Sequence, residues 1–222
     1  MLRKYVLTLM LCLFSTALFA EQPTEVIRKV YSLLRKYDQT APNAALTKSQ
    51  INNHFSLNVM ARAAIRDHYA SMNNRQQKEY MQLMYQLLEK AVYQDTQENL
   101  RKGRVRFTGE RRQSDRAKVM TNIFIKDEDM EIDNDFMLRK NSETWRVYDI
   151  YIDGASLVED YRSQFNQIIA ENGVDKNENS LFPRLRNALK EDKDEWRKNW
   201  KSKKEKRDKV TPTKRPSILD NL

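Results

Sequence analysis

The hydrophobic period of the chain changes at Asp153-Gly154, where a strand pattern gives way to a helix pattern. Before this point, residues 145–152 are rich in the β-branched and aromatic side chains that favour a pleated sheet. After it, apolar residues recur at helical spacing over residues 157–168, and Ser156 with Glu159 fits a capping box. The pattern predicts a strand that leads directly into a helix folded back on a sheet.

Helical patterns occupy the first half of the chain. Residues 23–37 repeat apolar side chains every three or four positions, and Pro23 suits a first helical turn. A second helical region reaches Ile65 and is expected to break at least once. Asn73 with Gln76 is typical of the cap of a long third helix, which Gly103 is expected to end.

The second half alternates apolar and polar residues with a period of two, which is typical of half-buried strands. Three such runs cover residues 105–107, 119–125 and 132–138, with polar turns at 127–129 and 140–142. The simplest topology is an antiparallel meander that ends in the strand before Asp153. Three helices, about four strands and another helix predict the α+β class.

The first twenty residues have the composition of a secretory signal peptide. Arg3 and Lys4 precede an apolar run, and Ala20 leaves a small residue before Glu21. Leu18 is large for a residue near a cleavage site, so an uncleaved anchor stays an alternative. Cys12, the single cysteine, lies within this run, so the mature chain would have neither disulfides nor a thiolate nucleophile. The sequence predicts an exported, soluble protein.

Charge is distributed unevenly along the 222 residues. The net charge is +9, and residues 190–222 hold twelve Lys and Arg against seven Asp and Glu. Residues 21–190 are predicted to form one domain, and 191–222 a basic extension that is partly helical and then disordered. Nucleic-acid binding fits poorly, because the basic excess lies mainly in the extension of an exported chain.

Leu185, Leu189, Trp196 and Trp200 fit one helical stripe surrounded by basic residues. This pattern is typical of helices that lie on anionic membranes, so Trp196 and Trp200 are candidates for transient membrane or partner contact. The alternative is a solubilising extension of the last helix.

Residues 145–165 closely resemble the MlaC family, also called toluene-tolerance proteins. The resemblance extends over residues 23–190 and includes Met60-Ala61-Arg62, Asp135-Phe136 and Asn172-Gly173-Val174-Asp175. One departure is Ile65-Arg66, where relatives commonly have a Leu-Gly pair. Arg66 therefore replaces a residue that can take any backbone angle.

The resemblance implies a nuclear-transport-factor-2-like fold, in which helices cover a curved antiparallel sheet and an apolar cavity holds phospholipid acyl chains. It implies a periplasmic carrier, not an enzyme, that shuttles phospholipid between the outer and inner membranes and maintains outer-membrane lipid asymmetry. The implied partners are phospholipid, an inner-membrane ABC lipid transporter complex and an outer-membrane lipoprotein complex. No cofactor is implied, and Gly154 is a candidate hinge for handover.

Thirteen apolar residues are candidates for the lipid-binding wall, because acyl chains need an interior that competes with a bilayer. They are Met60, Tyr80, Met84, Leu88, Val92, Ile123, Phe136, Leu138, Val147, Ile150, Leu157, Tyr161 and Phe165. Composition alone favours a solid core for these residues. Arg62 and Arg162 are candidates for lipid phosphate or partner contact; the alternative is solvation or pairing with Glu159 or Asp160.

Other functions stay open at this point. A terpenoid or hopanoid binder would share the same features, as would an interaction protein with a filled core. His54 and His68 lack a third ligand for a metal, and we expect both on the surface. An isomerase could use Tyr148-Asp149 or Tyr151-Asp153. However, alternation places Asp149 on the face of Trp145 and Val147, where no converging donors are expected.

Overall fold

The computed structural model describes residues 21–142 and 144–190. Its elements confirm the α+β class and the predicted chain order. The helices are α1 (Pro23–Lys36), α2 (Ala44–Asn52), α3 (Leu57–Ile65), α4 (Asp67–Ser71), α5 (Asn74–Lys102), α6 (Leu157–Asn172) and α7 (Leu181–Lys190). The strands are β1 (Arg104–Gln113), β2 (Arg116–Ile125), β3 (Met130–Asn141), β4 (Thr144–Ile152) and β5 (Ala155–Ser156). Residues 1–20 and 191–222, and with them the predicted signal peptide and the predicted basic extension, lie outside the described residues.

The five strands form one curved sheet in the order β1-β2-β3-β4-β5, with every neighbouring pair antiparallel. This confirms the predicted meander and adds β5, which contributes only two residues. The second helical region does break, giving α2, α3 and the short α4. Helices α1, α3, α5 and α6 pack against the sheet, which fits the nuclear-transport-factor-2-like fold, and α7 packs on α5 and α6.

The strand-to-helix junction is a tight turn. Asp153 and Gly154 both have positive φ values, 49° and 81°. The Asp153 N–H donates to the Asp133 carbonyl at 2.8 Å, and the Asp133 N–H donates to Asp153 Oδ1 at 3.1 Å. Helix α6 begins after the two residues of β5, and Ser156 Oγ accepts from the Glu159 N–H at 3.0 Å. The turn is thus fastened to β3 rather than free.

Helix α5 is the longest element, and its two ends follow the sequence. The Asn73 side chain accepts from the Gln76 N–H, and the Gln76 side chain accepts from the Asn73 N–H, both at 3.0 Å. At the other end, a Cβ on Gly103 would lie 2.6 Å from Ile123 Cγ2. Only glycine fits where α5 passes this close to β2.

The two edges of the sheet differ. At the β4 edge, the Val147 N–H donates to the His54 carbonyl at 2.9 Å, and the Ser56 N–H donates to the Val147 carbonyl at 2.8 Å. The α2–α3 connection and β5 therefore cover this edge. At the other edge, β1 contains four arginines, and within the described ranges its backbone forms sheet bonds with β2 alone.

Helix α7 belongs to the core of the domain. Leu181, Phe182 and Leu185 are at most 3% exposed, and Leu189 packs against them while partly buried. The sequence pattern placed Leu185 in a stripe that would contact a membrane or partner together with the extension. For Leu185 this prediction is wrong, because its side chain is buried in the domain. Burying that leucine against the body of the domain removes apolar surface from water, which an exposed amphipathic helix would not achieve.

Candidate functional site

All thirteen candidate lining residues lie in one continuous hydrophobic core, and each is at most 5% exposed. The structure therefore brings them together between the helices and the sheet. Met60 comes from α3, and Tyr80, Met84, Leu88 and Val92 come from α5. The rest come from β2 (Ile123), β3 (Phe136, Leu138), β4 (Val147, Ile150) and α6 (Leu157, Tyr161, Phe165). In this conformation each of them is almost entirely shielded from solvent.

The α5 part of this wall follows from helical periodicity. Tyr80, Met84, Leu88 and Val92 are four residues apart, so they lie along one face of the helix. The Tyr80 hydroxyl donates to the Ala61 carbonyl at 2.7 Å, which fastens α5 to α3. Burial raises the pKa of Tyr80 strongly, so this hydroxyl stays a neutral donor.

Polar atoms also lie in the apolar core at Tyr31 and Thr121. The hydroxyls of Tyr31 and Thr121 lie 2.7 Å apart, and Thr121 donates to the Asn134 carbonyl at 2.9 Å. Burial raises the pKa of Tyr31 to about 12. The ring of Tyr31 meets Phe136 edge to face, with centroids 5.6 Å apart. Tyr31 is not among the residues predicted from the sequence. Its position four residues after Ile27, on the apolar face of α1, is the pattern that could have identified it.

Asp149 corrects two sequence-based expectations. Leu138 pairs with Val147 but Met137 pairs with Asp149, so Tyr148 is an extra, bulged residue. Because paired residues share a face, Asp149 lies opposite Val147 instead of beside it. Donors also converge on its carboxylate: the Ile150 N–H at 2.8 Å, Ser156 Oγ at 2.6 Å and the Val158 N–H at 3.2 Å.

These contacts make Asp149 the polar link between β4 and the first turn of α6. The helix N-terminus offers positive partial charge, which favours a carboxylate there. Burial outweighs this effect and raises the pKa of Asp149 to about 6. A proton therefore binds this link near neutral pH, at the junction identified above as a candidate hinge.

The two candidate arginines have different surroundings. Arg162 is mostly buried: its Nε donates to the Ala63 carbonyl at 2.8 Å, and its guanidinium pairs with Glu159. It therefore ties α6 to α3, which corresponds to the ion-pair alternative. Arg62 is exposed, and its guanidinium lies 4.8 Å from the ring centre of Tyr69. Of the two, only Arg62 offers charge to an external ligand. Trp196 and Trp200 lie outside the described residues.

A polar groove of about 830 Å³ lies on the surface between α5 and the segment that follows α1. Tyr37, Thr40, Tyr93, Gln97, Arg101 and Lys190 are among its lining residues. The thirteen candidates lie elsewhere, in the core. The groove is therefore a separate feature from the predicted lipid site.

The described residues contain neither a candidate metal site nor a candidate membrane-spanning helix. No cluster of three His, Cys, Asp or Glu side chains suited to a metal occurs within residues 21–142 and 144–190. His54 and His68 are partly buried rather than fully exposed, and burial lowers the pKa of His54. None of the helices in the described ranges is long and apolar enough to cross a membrane.

The comparisons with known proteins agree with this architecture. The family model described as MlaC protein matches residues 24–181. The chain belongs to the MlaC family. Among solved structures, the MlaC chain is similar to a phospholipid-binding protein from Ralstonia solanacearum determined in complex with a phospholipid. The TM-score is 0.58 at 17% identity, covering 76% of this chain and 96% of that one, a likeness that shows the fold. A search of the curated proteins gave no match.

Proposed function

We propose that this MlaC-family protein binds a phospholipid by its acyl chains between the helices and the sheet. The observation that supports this most is the continuous apolar core formed by all thirteen candidates within the family match. Each methylene removed from water contributes about 0.8 kcal/mol, so two acyl chains need a large apolar enclosure. The phospholipid in the Ralstonia solanacearum protein supports the choice of ligand.

Lipid entry requires the wall to separate, because the candidate side chains occupy the interior in this conformation. Methionine suits such a wall, since its unbranched, polarisable side chain adapts to irregular surfaces. Met60 and Met84 are both fully buried, on α3 and α5. The proposed opening moves helices away from the sheet, with Gly154, which follows the fastened Asp153, as the pivot of α6.

We further propose that the protein carries its lipid through the periplasm without catalysing a reaction. It would exchange lipid with an inner-membrane ABC transporter complex and an outer-membrane lipoprotein complex. Asp149 is the buried carboxylate that an isomerase would need, but its oxygens accept from Ile150, Ser156 and Val158 of its own chain. We assign it to the fold rather than to a substrate.

The direct experiment is lipid mass spectrometry on protein isolated from its own cell envelope without added detergent. Phospholipid with two acyl chains, near one equivalent per protein, is the expected result. A terpenoid or hopanoid would keep the carrier and change the cargo. Absence of any apolar ligand, together with no uptake from phospholipid vesicles, would favour an interaction protein with a filled core.

The site can be tested with Met84→Trp. The larger ring occupies space that an acyl chain would need, so we expect a severalfold loss of bound phospholipid and an overpacking cost of about 1–3 kcal/mol. Met84→Leu is the matched control, because it nearly conserves volume and should retain the lipid. Circular dichroism establishes that both variants are folded. Equal lipid content in the two would remove Met84 from the site.

A further inference from the structure

A cluster of hydrogen-bonded polar groups connects helix α1 to the sheet inside the apolar core. It consists of Tyr31 on α1, Thr121 on β2 and Asn134 on β3, and each of the three residues is at most 6% exposed. The Thr121 hydroxyl donates its proton to the Asn134 carbonyl, so the Tyr31 hydroxyl is the donor in its 2.7 Å contact with Thr121. Tyr31 therefore holds a phenolic donor within the core.

The cluster lies on the sheet face that carries candidates for the lipid-binding wall. Thr121 is two residues from Ile123, and Asn134 is two residues from Phe136, so strand alternation places each pair on one face. The two strands also pair directly at Thr121 and Asn134. The ring of Tyr31 contacts the ring of Phe136 edge to face. A ligand that contacts this part of the wall would lie beside the Tyr31 hydroxyl.

The cluster also borders a less buried part of the wall. Phe107 on β1 pairs with Thr121, and Ile152 on β4 pairs with Asn134. Phe107 and Ile152 both pack against the core while only partly buried. A phospholipid ester joins apolar chains to a hydrated headgroup, so its carbonyl belongs at a boundary between buried and accessible surface.

The Tyr31 donor penalises a ligand that has no acceptor. Acyl chains that enter between α1 and the sheet would separate Tyr31 from Thr121, and a buried hydroxyl without a partner costs free energy. Burial raises the pKa of Tyr31 to about 12, so the hydroxyl keeps the proton that it would donate. An ester carbonyl is a strong acceptor for that proton, whereas an ether oxygen is a weaker one and a hydrocarbon offers none.

We propose that Tyr31 donates a hydrogen bond to an acyl-ester carbonyl of the bound phospholipid, an inference that rests on the lipid site proposed above. The apolar wall accepts hydrocarbon of any origin. Tyr31 adds selectivity for ester-linked lipids over ether-linked lipids and over terpenoid or hopanoid hydrocarbons.

The test is a competition between two lipids that differ only in their ester carbonyls. Delipidated full-length protein is incubated with vesicles that contain equal amounts of dioleoyl phosphatidylglycerol and its dioleyl ether analogue. Mass spectrometry of the re-isolated protein gives the ratio of bound ester lipid to bound ether lipid, which does not depend on the folded fraction. We expect a ratio of about five for the wild type, the equivalent of one hydrogen bond, and a ratio near one for Tyr31→Phe.

Tyr93→Phe is the matched control. It also removes the hydroxyl of a buried tyrosine, but this hydroxyl donates to Asn52 Oδ1 at 2.6 Å, and Tyr93 is not a candidate wall residue. It should keep the wild-type ratio. A wild-type ratio near one, an unchanged ratio in Tyr31→Phe, or an equal fall in both variants would overturn the role of Tyr31 and leave the lipid site standing. If the wild type takes up neither lipid, the proposed function fails together with this inference.

Discussion

Single residues depart most clearly from what the sequence pattern predicts. Strict alternation along β4 is correct for Trp145 and Val147 but fails at Asp149, because the bulged Tyr148 reverses the faces. A bulge leaves no reliable mark in one sequence, since it depends on how β3 and β4 align. As a result, the Asp149 carboxylate is buried beside the first turn of α6, where its ionisation costs free energy.

The pKa of about 6 at Asp149 gives a signed pH dependence. The pKa in the fold is raised above its ordinary value of 3.8, so the folded state binds this proton more tightly. The stability it contributes is present below pH 3.8 and is lost as pH rises through 6. At 1.36 kcal/mol per pKa unit, the loss is on the order of 3 kcal/mol. Asp149→Asn should remove this loss, as urea unfolding from pH 4 to 7 will measure.

The control for Asp149→Asn is Asp115→Asn. A hydrogen bond from Arg139 lowers the pKa of Asp115 below 3.8, so the stability it contributes is lost only as pH falls below that value. Asp115→Asn should therefore leave the slope of the profile from pH 4 to 7 unchanged, whereas Asp149→Asn should flatten it. A parallel shift in both would contradict the assignment to Asp149.

Arg66 is the second residue with a measurable consequence. Its φ of 38° and ψ of −111° form a conformation that glycine adopts readily and side chains resist. The side chain is exposed, so its removal sacrifices little packing. Arg66→Gly is expected to raise the free energy of unfolding by about 1–2 kcal/mol in urea titrations.

Arg66→Ala separates backbone strain from side-chain effects. It deletes the same side chain but retains the Cβ that disfavours positive φ. We expect little gain from alanine. A gain equal to that of glycine would show that the charge, not the backbone angle, is responsible.

At the scale of elements, periodicity and caps predicted most of the fold. The α5 cap, the end at Gly103 and the four-strand meander all emerge from local patterns that the structure confirms. The predicted stripe runs from α7 into the extension because Leu185 and Leu189 are in phase with Trp196 and Trp200. A phase relation cannot tell which part of a stripe is buried; only packing against α5 decides it.

The cap of α5 provides a test at this scale. Asn73→Ala removes the side-chain oxygen that accepts from the Gln76 N–H, leaving a helix donor without that bond. We expect a loss of about 1 kcal/mol in the free energy of unfolding. Asn74→Ala, one position into the helix, is the control and should be close to neutral or slightly stabilising. Equal losses would contradict a capping role for Asn73.

For the whole molecule, the sequence was sufficient to predict which residues are buried, but not whether they surround a cavity for a ligand. The thirteen candidates were predictable because helical stripes and alternating strands both mark one apolar side. Whether that side closes on itself or opens for lipid depends on how far the layers separate, which no residue pattern encodes. The family resemblance supplied that expectation.

Bound phospholipid should stabilise the protein by mass action, since the proposed site exists only in the folded state. At a hundredfold excess over the dissociation constant, the gain is about 2.7 kcal/mol. We expect a higher Tm for the lipid-loaded protein than for delipidated protein, with slower amide exchange in α3 and α6. Delipidated protein given only the carrier solvent is the control, and identical Tm values would argue against a ligand in the core.

The β1 edge, which no other strand pairs with in the described part of the chain, has a consequence for copies of the protein that meet one another. Antiparallel pairing of two β1 strands would bring Arg104 and Arg106 of one copy towards Arg111 and Arg112 of the other. Like charges at strand spacing repel, so this edge discourages fibril-like stacking without needing a cover. High ionic strength screens that repulsion, which makes concentrated salt the condition under which self-association should first be seen.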